Sequence, residues 1–299
     1  MSQDTIDVVE APEKPLLAPL PDEDRPPLVR RIFSPWQIVL IPLAVLMILP
    51  LVLMLITSFE TLNETRHFPP ILVPSGVRWQ NYTQVLEISQ FPRWFLNTLF
   101  VTVVVVIGNL FFCSLAGYAF ARLKWFGRDA IFLLILATLM IPFQVIIIPT
   151  FLIVKKLGLI DTLWALIVPN LCGAFGIFLL RQFFRTLPVE LEEAARIDGA
   201  SRLGVLFKIV LPLSGPALAT LAVITFMWTW NDFLWPLVTL FHTKNFTVQL
   251  GLTTFQGAHQ SNTNLLMAAN VMSLLPALLL FLFAQRYFIR GISTTGLKG

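Results

Sequence analysis

The sequence predicts an all-α membrane protein with six transmembrane helices, and three observations carry that prediction. The composition is 56% hydrophobic and only 13% charged, whereas a soluble domain carries about 25% charged residues. The apolar residues gather into six runs long enough to cross a bilayer, which takes roughly 20 residues each. Between the fourth and fifth runs lies a charged stretch, Glu190 to Pro212, with the pattern of two short helices around a corner.

Residues 1–35 are polar and proline-rich and contain seven acids. Acids in that number and the distance to the first apolar run do not suit a signal peptide; the composition predicts a disordered cytoplasmic tail. The spans are then expected at Trp36–Ser58, Trp94–Ala121, Ala130–Val154, Thr162–Leu180, Ile209–Asn231 (continuing past Asp232 towards Val238) and Leu265–Gln285. Pro42, Pro50, Pro142, Pro149, Pro169, Pro216 and Pro276 interrupt them. Such prolines are tolerated where neighbouring helices satisfy the freed carbonyls, and they mark either bends around a pathway or packing kinks. The transmembrane domain is placed at 36–291, with the charged loop at about 186–212 and a short cytoplasmic tail at 292–299.

Charge sets the orientation. With the N-terminus inside, inner segments hold fifteen Lys and Arg and outer segments six, which places both termini and the 190–212 loop in the cytoplasm. Lys155 and Lys156, on the outside, do not fit. The long outer loop 59–93 is read either as resting at the lipid surface or as docking an external partner, with Trp94 at its end suited to an interfacial aromatic belt. The net charge of +4 follows from the cations on one side of the bilayer and does not suggest nucleic acid.

Within the charged loop, Pro188 suits a first helical turn, and Glu190, Glu192 and Glu193 sit where the positive end of a helix favours acids. Glu192 and Arg196 are spaced as an i,i+4 pair. Leu191, Ala194 and Ala195 make a small, smooth face. Gly199 is placed to end the first helix in a left-handed conformation, and Ser201 to cap the second, where Leu203, Leu206, Phe207, Val210 and Leu211 repeat at helical spacing. The result is a compact knob whose small residues permit close approach by a partner.

The recognisable parts of an enzyme are missing. There is no Gly-x-x-x-x-Gly-Lys-Ser/Thr loop for ATP, no Gly-x-Ser-x-Gly elbow, and no metal-ligand spacing of His or Cys. His67, His242 and His259 are scattered and read as surface residues; Cys113 and Cys172, inside apolar runs, read as buried packing thiols. No cofactor or metal is expected in this chain. Asp232 is the one acid near membrane depth, which leaves little for a proton or sodium relay.

The knob resembles the cytoplasmic loop signature of ABC importer permeases: Glu193, Ala194, Ala195, then Gly199, then Ile209, Leu211 and Pro212. Other segments resemble the carbohydrate (maltose-type) branch: Asn97-Thr98-Leu99, the run Ala116 to Arg122, Pro142-Phe143-Gln144 with Pro149, Trp230 to Pro236, and Gly296 to Gly299. The resemblance spans roughly 36–299. It implies the type I ABC importer permease fold, in the bacterial inner membrane. It also implies a homologous sister permease, an ABC ATPase dimer that binds ATP and magnesium, and an extracytoplasmic solute-binding protein. Glu192, Glu193, Ala194, Ala195, Asp198, Gly199 and Pro212 would couple to that ATPase. The solute would be a sugar or related polyol or glycoside, with glycerol phosphate or a polyamine as the alternative and a secondary carrier as a more distant one. Sugars are bound by aromatic faces and hydrogen-bonding pairs, so Gln144, Asn170, Trp228, Asn231, Asp232 and Asn270 are the candidates for the path, each of which also has a bland reading as an interhelical contact or a membrane anchor.

Overall fold

The computed structural model describes residues 36–88, 90–256 and 262–295, with side chains in the last helix through Gln285. The N-terminal tail, His259 and Gly296 to Gly299 lie outside the described residues. The chain divides at Pro50 into two units. Helix α1 (Gln37–Thr57) crosses that boundary and has no buried side chain.

Everything from Leu51 onward is arranged around one long helix. After α2 (Gln80–Ile88) comes α3 (Phe91–Arg122), 32 residues long, or about 48 Å at the α-helical rise. It takes part in all three buried clusters. Phe91 and Trp94 pack with Val248, Leu252 and Leu266. Val101 and Val105 pack with Ile167, Trp235 and Leu240. Cys113, Tyr118 and Phe120 pack with Leu180, Phe184, Val210 and Leu221.

The third and fifth expected spans are each broken. α4 (Arg128–Thr138) and α5 (Phe143–Lys156) meet at 105°; Pro142, at the N-cap of α5, has no N–H to continue a helix. α6 (Trp164–Ile167), a 3₁₀ turn at Val168–Asn170 and α7 (Ala174–Thr186) form the fourth span, interrupted at Pro169. α8 (Val189–Ile197) and α9 (Arg202–Val205) build the knob. A π-helical turn at Leu206–Val210 and α10 (Leu211–Leu213) lead to α11 (Gly215–Trp230), with a bend of 81° at Ser214. α12 (Leu234–Thr239), α13 (Val248–Leu252) and α14 (Thr263–Thr295) complete the chain. Among the described residues, four helices are long and apolar enough to span, and six if each bent pair counts as one. The last helix runs to Thr295, past the boundary expected at 291.

α3 and α7 approach closely because the contact is made of small residues. A Cβ on Gly117 would lie 3.1 Å from Leu180 Cβ and 3.2 Å from the Arg181 amide nitrogen, and one on Gly176 would lie 2.7 Å from Cys113 Sγ.

Two sequence expectations change. Trp94 is held inside the fold and does not face outward as a belt residue would: its indole donates to Thr243 O at 2.7 Å and packs on Gly251. Loop 59–93 is partly built into the fold, since buried Asn81 donates to Ser58 O and Glu60 O and accepts from Asn264. The misplaced pair Lys155 and Lys156 occupies the last turn of α5, where the negative helix end favours cations.

Candidate functional site

Two features stand at different heights along α3: the knob at its C-terminal end and a cavity along its middle.

The knob has the expected corner, made by local chemistry. Gly199 has φ +86°, a conformation that costs residues with a Cβ. Its amide donates to Arg196 O at 3.1 Å, and that of Ala200 to Ala195 O at 2.9 Å, the two bonds of a Schellman motif. Ser201 Oγ then accepts from the Gly204 amide at 3.1 Å and caps α9. The second helix passes through a π-turn in which the Leu211 amide bonds Leu206 O. Pro212, the next residue, has no N–H to give.

The acids of α8 behave differently from the sequence expectation. Glu192 does not pair with Arg196. It is buried and turned towards α3, where Arg122 Nε meets Oε1 at 2.6 Å and the Tyr118 hydroxyl donates to Oε2 at 3.3 Å. Arg122 also donates to Leu187 O at 2.7 Å. The i,i+4 rule gives way because a buried partner on another helix excludes water, whereas Arg196 stays in it. Ala195 turns partly inward as well. Leu191, Glu193, Ala194, Asp198, Gly199 and Pro212 are exposed, and Ile197 is 86% exposed. The knob is thus pinned on one side and open on the other.

The cavity, of about 410 Å³, is walled by α3, α5, the interrupted stretch 169–173, α7, α11 and α12. Three of the expected path residues line it: Asn170, Trp228 and Asp232. Asp232 Oδ1 accepts the Trp235 amide, in the first turn of α12, at 3.3 Å. Trp228 is 62% exposed and meets Phe175 edge-on, with ring centroids 5.4 Å apart. The other three are elsewhere. Gln144 is exposed, and its neighbour Phe143 faces the cavity instead. Asn231 donates to Met227 O and accepts from Gln249. Asn270 donates to Leu266 O of its own helix.

Residues missed in the sequence also line it. Asn109 donates to Asn170 O at 2.5 Å; it stands amid an apolar run, the same signal that selected Asn170 and Asn270. Thr98, Thr225, Thr229 and Thr247 line it too, but a threonine within an apolar run carries no comparable signal. Cys172 is exposed to the cavity, not buried, and its sulfur lies 3.8 Å from that of buried Cys113; both are free thiols. The break at Pro169 opens Cys172 to the cavity. Among the described residues no cluster of His, Cys, Asp or Glu could hold a metal ion.

The described residues thus combine apolar helices long enough to span a membrane, a cavity of solute size and a knob bonded to α3. Residues 113–294 match the family described as binding-protein-dependent transport system inner membrane component, and the chain belongs to it. It is a multi-pass membrane protein with the type I ABC importer permease fold, of the branch that its carbohydrate relatives define. The chain is 38% identical over 260 residues to the arabinooligosaccharides transport system permease protein of Halalkalibacterium halodurans, covering 86% of this chain and 93% of that one. It is 35% identical over 269 residues to the sn-glycerol-3-phosphate transport system permease protein of Pectobacterium atrosepticum, covering 87% and 95%. Its fold matches a bacterial ABC transporter involved in the import of the acidic polysaccharide alginate with a TM-score of 0.77, 29% identity and coverage of 87% and 98%.

Proposed function

We propose that the chain forms part of the transmembrane path of an ATP-driven importer, carrying a sugar or a related polyol or glycoside into the cytoplasm. The observation that carries this reading is that the knob and the cavity share one helix: Glu192 is pinned to Arg122 and Tyr118 of α3, and Thr98, Val105 and Asn109 of α3 line the cavity. A push on the knob therefore moves a cavity wall. The exposed face of Leu191, Ala194 and Ile197 suits a groove on an ABC ATPase subunit. ATP and magnesium belong to that ATPase, and a partner that binds two conformations unequally shifts their populations. A sister permease completes the path, and an extracytoplasmic binding protein delivers the solute. The Lys and Arg asymmetry supports a cytoplasmic side for the knob and both termini.

The test is purification of the tagged chain in mild detergent, followed by reconstitution into liposomes. Recovery of an ATPase and a second permease, with uptake that requires ATP and a binding protein, is the expected result. Recovery of the chain alone, transporting without ATP, would establish a secondary carrier instead.

A further inference from the structure

We infer that the cavity excludes anionic solutes and passes an uncharged, hydroxyl-rich one, with Asp232 setting the sign of the filter. The inference rests on the importer reading and narrows its substrate class. Among the described residues the lining contains no Lys, Arg or His, and Asp232 is its one carboxylate. A solute carboxylate or phosphate entering such a space would give up hydration without meeting a cation from this chain, and would be repelled by Asp232. Protonation of Asp232 would end the repulsion and still supply no positive charge.

The same lining suits a neutral sugar. Phe143, Phe175 and Trp228 offer apolar faces. The Thr247 hydroxyl is buried, has no hydrogen-bond partner among the described residues, and lines the cavity. A carboxylate has about four acceptor positions, so Asp232 keeps acceptor capacity for a sugar hydroxyl after receiving the Trp235 amide. Accepting the Trp235 amide does not account for an acid here, because the side-chain oxygen of Asn accepts an amide as well. What Asn lacks is the charge. The cavity thus argues against both alginate and glycerol phosphate as the solute of this chain, although proteins similar to it are named for them.

Cys172 provides a probe inside the cavity. In the purified importer, the modification rates of Cys172 by a cationic and an anionic methanethiosulfonate are measured by mass spectrometry of its peptide. Each is normalised to a free thiol. The cationic reagent is expected to win by roughly fivefold, with the ratio falling to about one in Asp232→Asn, a variant that keeps an oxygen to accept the Trp235 amide. A ratio near one in the unaltered protein, or one favouring the anion, overturns the filter. In liposomes, ATP-dependent uptake of trigalacturonate or of glycerol 3-phosphate would also overturn it; neither is expected to enter. If no ATPase accompanies the chain, the importer reading fails, whereas the Cys172 ratio still reports the sign of the cavity.

Discussion

The two ends of α3 are fastened by opposite chemistries. At the knob end the fastening is ionic: Arg122 and Glu192 leave only 12% and 9% of their side chains exposed. At the far end it is neutral. Trp94 donates to Thr243 O, Asn97 to Phe246 O at 2.9 Å, and Thr98 accepts the Val248 amide at 2.8 Å, while Gly251 lets the indole lie against its backbone. The neutral end holds by shape, and loses stability when volume is added. The ionic end holds by charge, and is disrupted when one partner is removed, because the other is then buried uncompensated. A charged joint has a stringent geometry that suits an element transmitting force.

The largest effect is expected at the ionic end. Glu192→Ala leaves Arg122 unpaired and should cost about 3–5 kcal/mol. Thermal unfolding of the detergent-solubilised complex checks this, alongside the ratio of ATP hydrolysed to solute imported, which should rise. Glu192→Gln keeps one oxygen to accept from Arg122 but loses the charge and the second acceptor, and should fall between the two; equal stability for Glu192→Ala and the unaltered protein would show that the pair is not a joint. Next comes the neutral end. Gly251→Ala drives a methyl into the Trp94 ring and should cost about 1–3 kcal/mol, lowering Tm with no change in the ATP-to-solute ratio of the protein that folds. That contrast separates a fastening from a transmission joint. Gly199 is third. Nothing lies within 4 Å of a Cβ there, so Gly199→Ala pays only for the left-handed backbone, about 1–2 kcal/mol. Because the corner itself changes, Gly199→Pro should uncouple ATP hydrolysis from uptake at normal expression; normal uptake would remove Gly199 from the coupling element.

The same contrast explains what could be read from the sequence. The knob was legible because its corner is made by signals a few residues apart: Gly199 for the C-cap, Ser201 for the next N-cap. The spans were legible as apolar runs, but their breaks at Pro142 and Ser214 were not separable from harmless kinks, because a proline does not record how far a helix turns. The Glu192 partner was misread because a short-range rule was applied to a residue that bonds across 70 positions of chain. The cavity was half legible. Polarity in an apolar run found Asn170 and Asp232 and would have found Asn109. It also picked out Asn270, which serves its own helix, and nothing local tells the two cases apart.

The smallest effect belongs to a third cluster, beyond the neutral end of α3, where a charge is held at the surface. Asp161, at φ +59°, receives the backbone amides of Phe241 at 2.9 Å and His242 at 3.0 Å, together with the His242 ring and the Asn245 amide. Partial burial opposes its ionisation, but these donors together hold the Asp161 carboxyl well below the usual range. A depressed folded pKa means that the unfolded chain binds the proton more readily, so the contribution is complete above the unfolded pKa of about 3.9 and fades as pH falls towards the folded value. Hydrogen exchange at the Phe241 and His242 amides, after correction for the intrinsic rate, should therefore lose protection as pH falls from about 5 to below about 4. In Asp161→Asn the acid-dependent step should vanish. Its persistence would assign the loss to another carboxylate, such as Glu64, held to about 2 by Ser75 and Thr61.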